Sequence, residues 1–140
     1  MLTLFVLVFL YLDDHIVLLR RAQVDFGSGL YSLPGGKVES GETARQAIAR
    51  EVKEELALDI PEQDFTLVHT LHRQGTEGPF VALCFKAHID SINDIHNNEP
   101  DKHSDMKLFP CHTLPVDILP AHKQIIESIV KGINYSEHGW

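Results

Sequence analysis

Residues 2–12, LTLFVLVFLYL, constrain this 140-residue chain more than any other segment. The run carries no charge, yet it is far shorter than the roughly 20 apolar residues that cross a bilayer. It also lacks the basic flank and small-residue cleavage site of a secretory leader. Its Val, Phe, Leu and Tyr content predicts a strand that is apolar on both sides, lying at the centre of a sheet with a layer packed over each face. Layered architectures supply such cover. No segment repeats, so one domain over residues 1–140 is expected. A truncated or unusual leader is the alternative reading of the apolar run. Two isolated cysteines, Cys84 and Cys111, form no CxxC spacing, and a reducing, cytoplasmic setting is the expectation.

The rest of the chain supplies the cover. Asp13-Asp14 reads as a turn, after which HIVLLR returns as a second strand. Gly27, Ser28 and Gly29 mark a loop. The PGG of residues 34–36 suits neither a helix interior nor a central strand. Residues 42–56 hold no Pro or Gly, and Ala44, Ala47, Ile48, Val52 and Leu56 recur at spacings of three and four, one helical stripe. Residues 65–71 and 80–89 read as strands around the loop RQGTEGP. Residues 90–105 form a polar loop, and residues 106–109 a short strand. Residues 121–131 form a second amphipathic helix with Ile125, Ile126, Ile129 and Val130 inward, and the tail 134–140 is expected to fray. Strands mixed with two helices give an α/β (α+β) class, a sandwich in one domain.

A formal net charge of −8 argues against a general nucleic-acid or membrane-surface binder, which would show basic clusters. It leaves a phosphorylated substrate open, because bound cations can invert the local sign.

Acidic residues concentrate in REVKEE, residues 50–55. On a helix, Glu51 lies beside both Glu54 and Glu55, and like charges so placed cost a few tenths of a kcal/mol per pair. Lys53 points elsewhere. Two explanations fit these residues alone: a solvated acidic face, or an oxygen cluster for a hard divalent cation, which would offset the repulsion. The nine histidines do not make a zinc site. His69 and His72 fall on opposite faces of a predicted strand, no HExxH occurs, and two distant cysteines complete no tetrahedral set.

The wider spacing runs Gly36, five residues, Glu42, seven residues, then Arg50-Glu51-Val52-Lys53-Glu54-Glu55. It resembles the Nudix box, G-x5-E-x7-R-E-U-x-E-E-x-G-U with U aliphatic. Chance agreement at the six specified positions, at ordinary residue usage, is on the order of one in ten million. Val52 and Leu58 fill the aliphatic slots. Ala57 departs from the pattern where the family has glycine, at a cost of about 1 kcal/mol or a shifted helix end. The LLRR strand end, the LPGG segment, the acid-bearing loop NNEPDKHSDMKLFP and the final helix extend the resemblance over essentially the whole chain. It implies a Nudix-type α/β/α sandwich with a mixed central sheet.

The resemblance further implies Mg²⁺- or Mn²⁺-assisted hydrolysis of a nucleoside diphosphate linked to a group X, with a small-molecule nucleotide as the partner of a monomer or homodimer. Gly36 (through its carbonyl), Glu51, Glu54, Glu55 and Glu99 would be the metal ligands. Glu54 or Glu51, ahead of Glu99, would take the proton from water, and Arg50 would orient the carboxylates. Glu42 would either support that set or favour the helix start as any early acid does. Arg21 and Lys37, with Arg20 as an alternative at the strand end, would meet phosphate oxygens, and His122 or His72 would contact the base. Subfamily signals are mostly negative. SQPWPFPxS is absent, and the HRQGT region holds neither the proline that often accompanies ADP-ribose hydrolysis nor a tyrosine of the diadenosine-polyphosphate type. By elimination the expected substrate is a nucleoside triphosphate, cut to a monophosphate and pyrophosphate. ADP-ribose or another nucleotide conjugate is the alternative, and a non-catalytic nucleotide sensor is the rival of another class.

Overall fold

A computed structural model describes residues 2–22 and 27–140; part of the loop expected between the second and third strands, residues 23–26, lies outside the described residues. The apolar run forms β1 (Thr3–Leu12), the axis of a mixed eight-stranded sheet. β6 (Gly78–His88) runs parallel along it. β2 (His15–Arg21) and β4 (Gly35–Lys37) pair antiparallel with its two ends. The order is β3 (Tyr31–Ser32), β2, β1, β6, β5 (Thr66–Gly75), β8 (Tyr135–His138), with β4 beside β1 and β7 (His103–Pro110) beside β2.

Alternation along β1 splits its side chains between two cores. Val6, Val8 and Leu10 are buried with Val17, Leu19 and the inner stripe of α1 (Ala44–Leu56), namely Ala47, Ile48, Val52 and Leu56. Leu7 and Phe9 are buried on the other side with Ile16, Leu18 and Ala121, Ile125 and Ile126 of α2 (Pro120–Val130). Each such aliphatic side chain contributes about 1.5–3 kcal/mol relative to exposure. The expected α/β/α sandwich around a mixed sheet is therefore present. No helix among the described residues is long and apolar enough to cross a membrane.

Several local expectations are corrected. The first helix begins at Ala44 rather than residue 42, because Thr43 and Gln46 form a reciprocal capping box that satisfies two otherwise orphaned donors. Glu42 therefore lies outside the helix. Gly35–Lys37 is a strand despite its glycines, because Gly35, at φ 155°, allows a backbone approach to β1 that a Cβ would block by meeting the Val6 carbonyl oxygen. The strand expected at 106–109 is longer, since β7 pairs with all of β2. Val130 is exposed, unlike Ile125 and Ile126.

The tail does not fray. β8 adds to the sheet edge, parallel to β5. The cause is His69, fully buried in β5, whose ring nitrogens meet the Ile133 carbonyl at 2.8 Å and the Ser136 hydroxyl at 2.7 Å. Both partners of this buried imidazole belong to the C-terminal segment, so undocking the segment would strand two buried polar atoms. Gln124 and Trp140 add hydrogen bonds to the Glu137 and His72 carbonyls at 2.9 and 3.0 Å.

Helix α1 ends on schedule even though Ala57 replaces glycine. Ala57 adopts φ 55° and ψ 36° and donates its N–H to the Lys53 carbonyl, so the left-handed cap is made with a residue that resists it. Ala57→Gly should stabilise the protein by about 1 kcal/mol, raising the thermal midpoint by about 3 °C. An unchanged or lower midpoint in a calorimetric scan would contradict this account of the cap.

Candidate metal centre

Arg50 organises the acidic edge of α1. Its Nε and Nη2 donate to the two Glu42 oxygens at 3.1 and 2.7 Å, a bidentate pair. Its Nη1 donates to Glu51 at 2.9 Å and Glu54 at 3.3 Å, and Nη2 also reaches the Lys37 carbonyl at 3.2 Å. The hydrogen bonds to Glu42, followed by those to Glu51, hold the guanidinium firmly protonated. Glu42 is held below the usual carboxylate range by Arg50 and then by the Glu39 N–H. Helical spacing thus brings the glutamates together, and one planar cation grips them.

Two consecutive glycines fit this helix edge to the sheet. Gly35 lets β4 approach β1, and its N–H donates to Glu55 Oε1 at 2.8 Å. Gly36 leaves room for Glu51, whose carboxylate lies where a Cβ on Gly36 would stand. Glu55 is 5% exposed. Burial and the neighbouring Glu51 push its pKa up to about 8, with Glu99 adding to the rise. Glu51 is raised as well, chiefly by burial. Glu54 lies further out, with half its side chain exposed.

The loop carrying Glu99 is fixed by the end of α1. An α-helix leaves its last carbonyls without intrahelical partners. Here Ala57 N–H bonds Lys53 O, the Asn98 side chain bonds Glu54 O, Asn98 N–H bonds Glu55 O, and His96 N–H bonds Leu56 O, all within 3.0 Å. This stitching brings Glu99 to Glu55. With His103 they form a group whose potential ligand atoms lie within 4.8 Å of one another. Of the five expected ligands, Glu55 and Glu99 belong to that tight group. Glu51 lies close enough to raise Glu55, Glu54 stands at the rim, and Gly36 underlies Glu51. Sequence reasoning does not single out His103, one of nine histidines with no spacing signal. Only the pairing of Arg21 with His103 across β2 and β7 brings it here.

The two arginines of β2 stand on either side of a register shift in its pairing with β7 and meet different partners. Arg21 follows the shift, and its charge acts on Glu55, His103 and His122. Arg20 falls on the α2 face, where it donates to Asp117 at 2.7 Å and to the Gly29 carbonyl at 2.9 Å. Lys37 is exposed, with Nζ 5.9 Å from the Phe5 ring centroid. Phe5 packs on Phe80 at 4.7 Å, and the Arg73 guanidinium stands over Phe80 at 5.5 Å. His122 lies on α2 and is not part of the tight group of Glu55, Glu99 and His103. Its Nδ1 accepts the Leu33 N–H at 2.9 Å, which leaves Nε2 as the protonated nitrogen of a neutral ring. His72 packs against Trp140, 4.6 Å between ring centroids.

The family model described as NUDIX domain matches residues 1–129. An ADP-ribose pyrophosphatase of Methanocaldococcus jannaschii is 30% identical over 125 residues, covering 87% of this chain and 69% of that protein. A CTP pyrophosphohydrolase of Escherichia coli (strain K12) is 27% identical over 121 residues, covering 84% of each. A crystal structure of a MutT NUDIX hydrolase from Burkholderia pseudomallei matches with a TM-score of 0.80 at 26% identity, over 91% of this chain and 97% of that one.

Desolvation holds the His122 pKa down to about 3, with Arg73 and Arg21 adding to the effect. In the unfolded chain the imidazole titrates near 6.5. Below that pH the unfolded state takes up a proton that the folded state refuses, so this contribution is full above about pH 6.5 and is lost as pH falls toward 3. From pH 7 to pH 4 the urea midpoint of the unmutated protein should lose ground relative to that of His122→Gln. The raised carboxylates push the other way in both proteins, so the comparison is between slopes. Equal slopes would remove His122 as a source of acid sensitivity.

Proposed function

Because the chain belongs to the Nudix hydrolase family, we propose that it cuts a pyrophosphate bond in a nucleoside diphosphate linked to a further group, with a nucleoside triphosphate as the leading substrate and a monophosphate and pyrophosphate as products. The observation that carries this reading is the tight grouping of Glu55 with Glu99, with Glu51 near enough to help burial push the Glu55 pKa up to about 8. Such a set fits a hard divalent cation, since oxygen donors so arranged repel one another until a cation neutralises them.

Glu51, Glu54, Glu55, Glu99 and the Gly36 carbonyl would hold Mg²⁺ or Mn²⁺, which supplies charge neutralisation at the pyrophosphate oxygens. The remaining roles belong to the chain. Arg50 fixes the carboxylates through its bonds to Glu42, Glu51 and Glu54. Glu54, at the rim and open to water, takes the proton from the attacking water, with Glu51 as the alternative and Glu99 behind both. Arg21 and Lys37 supply cationic contacts to phosphate oxygens. The Phe5–Phe80 pair, flanked by Lys37 and Arg73, offers apolar ring surface beside positive charge. His122 presents Nε2–H as a fixed donor to a base carbonyl.

One observation favours the second reading, ADP-ribose, namely the name of the Methanocaldococcus jannaschii relative. The absent proline in HRQGT argues the other way. A panel of nucleoside triphosphates and ADP-ribose, assayed with Mg²⁺ and with Mn²⁺ and with products identified, separates them. Preferential release of AMP and ribose 5-phosphate from ADP-ribose would replace the triphosphate reading. Cleavage of no nucleotide would leave a binding-only domain. Glu54→Gln should retain the fold, by circular dichroism, while lowering turnover about 100-fold or more. Undiminished turnover would refute the role given to Glu54.

A further inference from the structure

His103 is built into the acidic cluster more firmly than a loop histidine needs to be. Its N–H donates to the Glu99 carbonyl at 3.0 Å, and its own carbonyl accepts the Asn97 side chain at 2.7 Å. The register of β7 sets it opposite Arg21. Its backbone is therefore fixed on both sides, and the residue is 8% exposed. The ring is poorly served where it sits. Nε2 points at Glu55 Oε2 from 3.4 Å, beyond the ordinary N–H···O range. Nδ1 is buried with no hydrogen-bond partner among the described residues. Nδ1 stays without a partner whatever binds elsewhere, but Nε2, aimed at Glu55 and making only this long contact, is placed to gain from a ligand shared with the carboxylates.

We infer that His103 is a nitrogen ligand, through Nε2, to the divalent cation held by Glu55 and Glu99, and that it tilts this centre toward Mn²⁺ over Mg²⁺. The inference rests on the metal assignment made above and adds a donor to it. The three donor atoms lie within 4.8 Å of one another, close enough to share one ion with bonds of roughly 2.0–2.3 Å. Lys102 Nζ donates to Glu99 Oε2 at 3.1 Å, which leaves the other Glu99 oxygen for coordination. Mg²⁺ demands near-ideal octahedral oxygen coordination, whereas first-row transition ions accept mixed imidazole and carboxylate sets.

Electron spin-echo spectroscopy of the protein with one equivalent of Mn²⁺, without nucleotide, tests this directly. The expected result is a ¹⁴N modulation from a coordinated imidazole, replaced by a ¹⁵N coupling when the histidines are ¹⁵N-labelled. His103→Gln should lose the modulation and bind Mn²⁺ at least about tenfold more weakly, the lower range seen when even an outer partner of a ligand is removed. Its Mg²⁺ affinity should change less. Mn²⁺ bound in a Glu55-dependent way, as judged with Glu55→Gln, but without nitrogen coupling in the unmutated protein would overturn the inference and leave the carboxylate centre standing. Nitrogen coupling that persists in His103→Gln would also overturn it. Mn²⁺ binding that is absent, or indifferent to Glu55→Gln, would sink the metal assignment together with the His103 ligand. The spectrum of the labelled, unmutated protein is decisive whether or not the variant folds.

Discussion

Like charges gather in a folded protein only where something holds them, and here Arg50 does the holding. It takes both oxygens of Glu42, one each from Glu51 and Glu54, and the Lys37 carbonyl. Three pieces of chain meet in one guanidinium: helix α1, the turn before it, and strand β4. A flexible lysine would provide a point charge without the planar fork that fixes two carboxylates at defined angles. Because β4 pairs with β1, the acidic edge of α1 is referenced to the central strand of the sheet.

The second constraint is backbone accounting at the far end of α1. Its final carbonyls are met by a loop instead of by water, so the loop's acid has nowhere else to be. The need to satisfy helix-end acceptors therefore also brings Glu99 and His103 to Glu55. A stability requirement and a site requirement are met by the same few hydrogen bonds.

Much of this was legible in the residues because it depends on local period. The apolar run of β1, the stripe of α1 and the glutamate spacing are repeats of two or of three to four positions, and the layers follow from them. Glu42's position and the pairing of α1 with β4 rest on longer spacing, carried only by the family resemblance. Features created by tertiary contact were not legible. The tail's order depends on His69 finding Ile133 and Ser136, which no periodicity announces. His103 reaches the carboxylates through strand register. Arg20 and Arg21 are indistinguishable by composition, and only the folded strand, with its register shift between them, decides which one acts on Glu55 and which one meets Asp117.

The docked tail has a spectroscopic consequence. Trp140 is the only tryptophan in the chain, and it rests beside His72 at the outer edge of the sheet. Intrinsic fluorescence of this protein is thus a local gauge of whether the last strand is attached, set apart from the helix that bears the carboxylates. A change in emission reports the seam between β5 and β8, and the two cores could remain packed while that signal is lost.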